Sequence, residues 1–227
     1  MNMSNRTITL LLAGVLGIAS NKTQAQHLSD NTQSYFFTTR SDVYDGPTKP
    51  DFNFLSEKLW EARDYCEEHD LNTEAVIFID LGIHSGYNRC WVIRFNDGVI
   101  RYKGLVTHGS GKEEWLPVGQ RKYSNEKGSL LSSLGKYKTG ISYNGQYGLA
   151  YKLHGLEPSN SNAFSRAVVL HGHDCVLDHE SSAPLCQSWG CPTVSHNFLK
   201  NLQAVIDASE RPLLLWIFDS TRERYKK

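Results

Sequence analysis

The sequence has no excess of charge of either sign. Its 24 Lys and Arg residues are balanced by 24 Asp and Glu residues, which gives a formal net charge of +0 at pH 7. Proteins that bind nucleic acid or adhere to anionic membranes usually depend on a basic surface. The composition therefore predicts neither of these partners. Hydrophobic residues at 40% and charged residues at 21% are instead typical of an ordinary globular domain.

Long hydrophobic runs are also missing. The apolar run Ile8–Ala19 has about twelve residues, whereas a membrane-spanning helix needs about 20. Arg6 precedes this run and Thr23-Gln24-Ala25 follows it, a pattern that predicts a signal peptide over residues 1–25, cleaved near Ala25. We therefore expect a secreted protein without integral membrane contact, located in the periplasm of a Gram-negative cell. A retained anchor and a buried N-terminus are the alternatives.

The metal-binding spacings C-x-x-C and H-E-x-x-H are absent. Residues able to ligate zinc nevertheless crowd one segment, namely His171, His173, Asp174, His179, Cys186 and Cys191. Because an oxidising compartment would compete for the thiols, we expect no metal there, and a zinc hydrolase is a less favoured alternative. The glycine-rich stretch His108–Gly111 lacks a lysine at the spacing of a phosphate-binding loop, so no nucleotide site is predicted.

Apolar patterning divides the chain into three parts, of which the predicted signal peptide over residues 1–25 is the first. Residues 26–52 are predicted to form an extended polar arm, and residues 53–227 one folded domain with a helical lead-in over 53–72. Helices are predicted over Phe54–His69, capped by Asn53 or Ser56, and over Ser195–Ala208. Strands are predicted over Ala75–Leu81, Arg89–Phe95, Val99–Thr107, the end of Ser124–Gly140, Gly145–Leu156, Ala167–Leu170 and Leu213–Phe218. The fold is thus mainly β with flanking helices.

The segment 166–194 carries the residues with the clearest chemistry. A short apolar strand delivers His171 and Gly172 to its end, and twenty residues later Ser188-Trp189-Gly190-Cys191-Pro192 places a thiol beside a glycine. These residues suit nucleophilic acyl transfer, with Cys191 as the nucleophile and His171 as its base. Backbone N–H groups around Gly190 and Cys191 could hold the developing oxyanion, while Ser188 could orient the loop.

This pattern resembles a known family. H-G followed by S-x-G-C is similar to the signature of the L,D-transpeptidase (YkuD-like) catalytic domain, and S-W-G-C-P resembles its murein branch. Three further blocks resemble that branch: R-Y-K-G-L-V-T-H-G-S-G (101–111), S-N-E-K-G-S-L-L-S-S-L-G-K-Y-K-T-G (124–140) and Y-G-L-A-Y-K-L-H-G-L-E (147–157). Trp189 and Pro192 depart from the commoner family motif, so substrate contacts of the wider family do not transfer to this chain.

The resemblance implies a fold, a site and an activity. The fold would be a β-sandwich or curved mixed sheet, with Cys191 and His171 as catalytic residues and Gly172, Ser188 and Gly190 at framework positions around them. The activity would be cross-linking of peptidoglycan stem peptides through a cysteine acyl-enzyme, with no cofactor and with carbapenem β-lactams as covalent inhibitors. An L,D-carboxypeptidase or endopeptidase at the same site is the main alternative, and a non-catalytic wall-binding protein is a further one.

Several residues near the predicted site are candidates for substrate binding. Trp189 would line the acceptor pocket or wedge the loop, and Arg166 would bind a substrate carboxylate or form a salt bridge. Ser132 and Ser133 would hydrogen-bond a peptide backbone or form a turn, and His173 is a loop residue near the substrate.

Five cysteines leave an odd thiol after pairing. We expect Cys175 to pair with Cys186, since a bridge across eleven residues would rigidify the loop that carries the nucleophile. Cys66 and Cys90 would then tie the first helix to the sheet. The alternative is that these cysteines are unpaired and buried as small hydrophobic residues.

Overall fold

The computed structural model describes residues 47–111 and 121–223. The predicted signal peptide and the predicted arm up to residue 46 lie outside these residues. The elements, in chain order, are α1 (Phe52–Glu68), β1 (Ala75–Asp80), β2 (Cys90–Arg94), β3 (Ile100–Gly104), β4 (Gly135–Gly145), β5 (Gly148–Gly155), β6 (Val169–Gly172), β7 (Thr193–Val194), α2 (His196–Asp207), β8 (Leu214–Phe218) and α3 (Ser220–Glu223). None of the helices in this described part has the length and apolar character required to cross a bilayer.

All eight strands form one sheet, in the order β3-β2-β1-β8-β4-β5-β6-β7. β1 pairs in parallel with β8 and β6 in parallel with β7, whereas the other neighbouring strands are antiparallel. The prediction of a mainly β fold with a mixed sheet and flanking helices is therefore confirmed.

α1 begins earlier than the sequence predicted. The Asp51 carboxylate accepts hydrogen bonds from the backbone N–H groups of Asn53 at 3.0 Å and Phe54 at 3.3 Å. These contacts satisfy two of the N–H groups that a helix start leaves without partners. Asn53 and Ser56, the predicted capping residues, accordingly lie inside the helix.

The central strands are buried on both faces because a helix covers each side of the sheet. On β1, Val76 and Phe78 pack in the cluster that contains α1, while Ile77 and Ile79 pack in the cluster that contains α2. Complete burial of an aliphatic or aromatic side chain contributes about 1.5–3 kcal/mol to stability. The sheet is thus fixed from both sides, and its β6–β7 edge is where the candidate site lies.

One of the two predicted disulfides is present. Cys175 and Cys186 form a disulfide with a Cα–Cα distance of 6.1 Å. Cys66 and Cys90 are free buried thiols, so the expected second disulfide is not formed. The reason is strand parity, since Cys66 on α1 packs with Trp91 on one face of the sheet and Cys90 points to the other face.

Candidate active site

Parallel pairing at the sheet edge brings the predicted catalytic residues together. In the β6–β7 register, His171 lies opposite Thr193, which is two residues after Cys191. Both His171 and Cys191 line an open cavity of about 190 Å³. The other residues that line it are Thr107, Tyr147, His173, Cys175, Cys186, Gln187, Ser188, Trp189 and Thr193.

The His171 ring is held in one tautomer. Its Nδ1 lies 3.0 Å from the carbonyl oxygen of Gly172, and since a carbonyl can only accept, Nδ1 carries the proton. Nε2 is then the lone-pair nitrogen, and it accepts a hydrogen bond from the Thr193 hydroxyl at 3.1 Å. Burial lowers the pKa of His171 below its usual value, which the hydrogen bond to Gly172 partly offsets. The ring is therefore neutral at neutral pH and able to accept a proton.

Cys191 is a protonated thiol in the resting site. Burial raises its pKa, and the backbone of Val169 and the Arg166 guanidinium oppose that rise. The thiol donates to the carbonyl oxygen of Ala167, with an Sγ–O distance of 3.8 Å. Because both groups are neutral in the resting site, formation of the thiolate requires proton transfer to a base, and His171, which lines the same cavity, is the candidate.

The loop that carries Cys191 is shaped by Ser188 and Gly190. The Ser188 hydroxyl donates to the Cys191 carbonyl at 2.6 Å and accepts from the Gly190 N–H at 3.2 Å. Gly190 has φ of 112°, and a Cβ there would lie 2.8 Å from the carbonyl oxygen of Leu131. Ser188 therefore orients the loop, which is the role predicted for it. Its hydroxyl also accepts the hydrogen bond of the Gly190 N–H, one of the groups that were expected to hold an oxyanion. The Cys191 N–H, in contrast, has no hydrogen-bond acceptor among the described residues.

Arg166 belongs to the framework and not to the cavity surface. Its guanidinium donates to the carbonyl oxygens of Ser124 at 2.7 Å and Leu131 at 2.6 Å. It also donates to the hydroxyls of Ser133 at 3.2 Å and Ser129 at 3.3 Å. These four contacts tie the 124–133 segment to the strand that leads into His171. Arg166 was expected to bind a substrate carboxylate or to form a salt bridge. Its contacts with the described residues fit neither role.

Ser132 and Ser133 are also framework residues. The Ser132 hydroxyl accepts from the Gly109 N–H at 2.9 Å, and the Ser133 hydroxyl lies 2.7 Å from that of Tyr137. Both side chains are buried and neither lines the cavity, so the predicted contact with a substrate backbone is not available to them.

Trp189, His173 and Gly172 have different positions around the site. The Trp189 side chain is 76% exposed and lines the cavity. His173 also lines the cavity and is half-buried. Gly172 is required for space, because a Cβ there would lie 2.6 Å from Nδ1 of His196.

Two residues that contact the His171 ring were not predicted from the sequence. Tyr147, at the tip of the β4–β5 hairpin, stacks on His171 with a ring-centroid distance of 5.1 Å and an interplanar angle of 19°. Thr193 holds Nε2 of His171. The position of Thr193 after Cys191 in a buried strand is a signal that sequence reasoning could have used, whereas nothing local marks Tyr147.

The residues considered as zinc ligands do not form a cluster. Cys186 is bonded to Cys175 and is not available as a thiolate. In the part of the chain that the structure describes, no three His, Cys, Asp or Glu residues are grouped so as to hold a metal ion.

Comparison with solved structures gives similar proteins of low sequence identity. Pgp2, the helical cell shape determining protein of Campylobacter jejuni, is 16% identical over 64% of this chain and 48% of its own, with a TM-score of 0.42. An L,D-transpeptidase from Mycobacterium smegmatis is 12% identical over 63% of this chain and 58% of its own, with a TM-score of 0.37. An L,D-transpeptidase from Xylanimonas cellulosilytica is 12% identical over 68% of each chain, with a TM-score of 0.35. This chain thus spans about half the length of the Pgp2 chain that it matches.

A search of curated proteins gave no match. The family model described as the L,D-transpeptidase catalytic domain, however, matches residues 48–217. That range includes every strand of the sheet except the last residue of β8, together with the cavity and all the predicted site residues. The chain therefore belongs to the L,D-transpeptidase catalytic domain family.

Proposed function

We propose that this protein is a peptidoglycan L,D-transpeptidase that works through an acyl-enzyme on Cys191. The observation that carries the proposal is the neutral His171 imidazole, with its proton fixed on Nδ1, in the cavity that Cys191 also lines. A thiol whose pKa is raised by burial needs such a base at neutral pH.

The first half-reaction acylates the cysteine. Nε2 of His171 takes the thiol proton as Sγ of Cys191 attacks a carbonyl carbon of a tetrapeptide stem. This carbon belongs to the third, diamino-acid residue, in the peptide bond to the terminal D-alanine. The Cys191 N–H holds the developing oxyanion. The C–N bond then breaks, and His171 returns the proton to the leaving amine of the terminal D-alanine.

Thr193 accommodates both states of the histidine. In the resting site its hydroxyl donates to Nε2 at 3.1 Å. When Nε2 is protonated, the hydroxyl can turn its own proton toward the Cys191 carbonyl oxygen, 3.5 Å away, and accept from the imidazolium. The ring therefore keeps a hydrogen-bond partner while the proton is stored on it.

The second half-reaction forms the cross-link. The side-chain amine of another stem attacks the thioester, His171 removes a proton from that amine, and Cys191 leaves with a proton from the imidazolium. Attack by water would give a carboxypeptidase or an endopeptidase with the same two residues. A site in the periplasm, reached through the signal peptide over residues 1–25, and acylation by carbapenems complete the proposal.

The test is product analysis by mass spectrometry after incubation with a disaccharide-tetrapeptide. A dimer that lacks one D-alanine is the expected product. Tripeptide alone, or cleavage of a pre-formed dimer, would replace transpeptidation by hydrolysis. No conversion of any stem peptide would contradict the proposed activity.

A further inference from the structure

One face of β5 packs into the main core, and the other, next to the candidate site, carries the buried Ala150 and the half-buried Lys152 and His154. Tyr151 and Leu153 point into the main core. Ala150, Lys152 and His154 therefore point to the opposite face, because side chains alternate along a strand. In the β5–β6 register Ala150 pairs with His171 and Lys152 with Val169. This second face of β5 is thus the face that presents the candidate catalytic histidine.

Cations and aromatic rings are interleaved on this face. Nζ of Lys152 lies 4.3 Å from the Tyr143 ring centroid and 6.0 Å from that of Phe164. The His154 ring stacks on Phe164 with centroids 4.9 Å apart, although the Phe164 side chain is 58% exposed. We refer to these residues together with Lys138, which pairs with His154 across the β4–β5 ladder, as the hairpin face.

The hairpin face carries the cationic charge of two lysines, Lys138 and Lys152. Throughout residues 47–111 and 121–223, no Asp or Glu forms an ion pair with Lys138 or Lys152. Burial lowers the pKa of His154, and the charges of Lys138 and Lys152 lower it further. Lys138 lies opposite His154, and Lys152 is two residues from His154 along β5. Both lysines can therefore act on one site, and that site favours an anion.

The cavity is too small to enclose a whole stem peptide. Its volume is about 190 Å³, below the roughly 300–1,000 Å³ of pockets that enclose a drug-sized ligand. A stem peptide with its carbonyl at Cys191 must extend over the surrounding surface. Lys152 is two residues along β5 from the partner of His171, a distance of about 7 Å.

We propose that the hairpin face binds the free carboxylates of the stem peptide where it leaves the cavity. Lys138 and Lys152 pair with those carboxylates, while Tyr143 and Phe164 pack against the aliphatic part of the peptide. This inference rests on the proposed function, since it assigns a binding site to the same substrate. The hairpin face determines the affinity for the stem peptide, whereas Cys191 and His171 carry out the chemical step.

The test uses steady-state kinetics of the full-length protein with a tetrapeptide stem and with the same stem amidated at its carboxylates. The variant is Lys138→Gln/Lys152→Gln, and the control is Lys103→Gln/Lys200→Gln, which removes the same charge from exposed positions on β3 and α2. With the free stem at low salt, the variant should raise KM about five- to tenfold and leave kcat unchanged within about twofold, as expected for loss of two exposed ion pairs. The control should behave as the wild type, and the variant should not affect the amidated stem.

Three results would overturn the inference. Equal KM values for the variant and the control would do so, as would an equal loss with free and amidated stems. The third result comes from a disaccharide without peptide, added as a competitor of the stem. If it inhibits the wild type and no longer inhibits the variant, the hairpin face binds glycan instead. In each case turnover of the tetrapeptide by the wild type would leave the proposed function standing, whereas a wild type that converts no stem peptide would remove both.

Discussion

Among the described residues, the apolar core holds two reduced cysteines and the sheet edge holds one, and in both regions burial raises the thiol pKa. Burial raises the pKa of Cys66, on α1, to about 12, and it raises the pKa of Cys90 as well. Cys191 is raised by the same cause, yet it lines a cavity with a neutral histidine, and its rise is opposed by Arg166. A thiol pKa alone therefore does not identify a nucleophile. What distinguishes Cys191 is the presence of a base and of room for a substrate.

The largest expected effect comes from replacing one thiol in each region. We expect Cys191→Ala to lower kcat on stem peptides by about 10⁴ or more, because the covalent step is lost. Cys90→Ala should leave kcat per folded molecule unchanged and instead lower the free energy of unfolding by about 1–2 kcal/mol, as a small loss of core packing. Kinetics and urea titration of the two variants, measured side by side, would contradict the account if Cys90→Ala lowered kcat as far as Cys191→Ala.

The pH profile sharpens the role of the histidine. The pKa of His171 is lowered, so the active neutral imidazole is present above that pKa and is lost as the pH falls through it. We expect kcat/KM to rise with pH to a plateau, with the midpoint of the rise below the usual histidine pKa of about 6.5. His171→Asn should lower kcat/KM about 10²–10⁴-fold and remove this acidic limb. An unchanged acidic limb in the variant would show that another group titrates.

The disulfide on the cavity wall offers a third contrast with the buried thiols. Cys175→Ser/Cys186→Ser should lower the free energy of unfolding by about 2–3 kcal/mol, since the bridge closes a short loop in the unfolded chain. Reduction of the wild-type protein should give the same loss in urea titration. A reduced wild type as stable as the oxidised form would contradict a structural role for this bridge.

The smallest expected effect concerns the carbonyl that accepts from the Cys191 thiol. Ala167 has φ of 55°, in the left-handed region that disfavours residues with a side chain. Ala167→Gly should therefore be neutral or stabilise the protein by up to about 1 kcal/mol in thermal unfolding. A marked destabilisation would mean that the Ala167 methyl group makes packing contacts that outweigh the strain.

The sequence predicted the elements well where the signal was local. β1 and β8 are continuous apolar runs, and their length alone marks them as buried strands. The pairing of Cys66 with Cys90 failed because alternation along β2 does not say which face α1 covers. The roles given to Arg166, Ser132 and Ser133 failed because their partners lie in distant segments. Tyr147 was missed for the same reason, since its contact with His171 depends on how the hairpin tip folds over the sheet edge.

The central claim is that Cys191 becomes acylated by a stem peptide. The most direct measurement is mass spectrometry of the intact protein and of its proteolytic peptides after acid quenching of a reaction with disaccharide-tetrapeptide, with Cys191→Ala as the control. The account predicts an adduct whose added mass equals that of the substrate minus one molecule of D-alanine, attached at Cys191 and absent from the variant. An adduct on another residue, or product formation by Cys191→Ala at the wild-type rate, would contradict it.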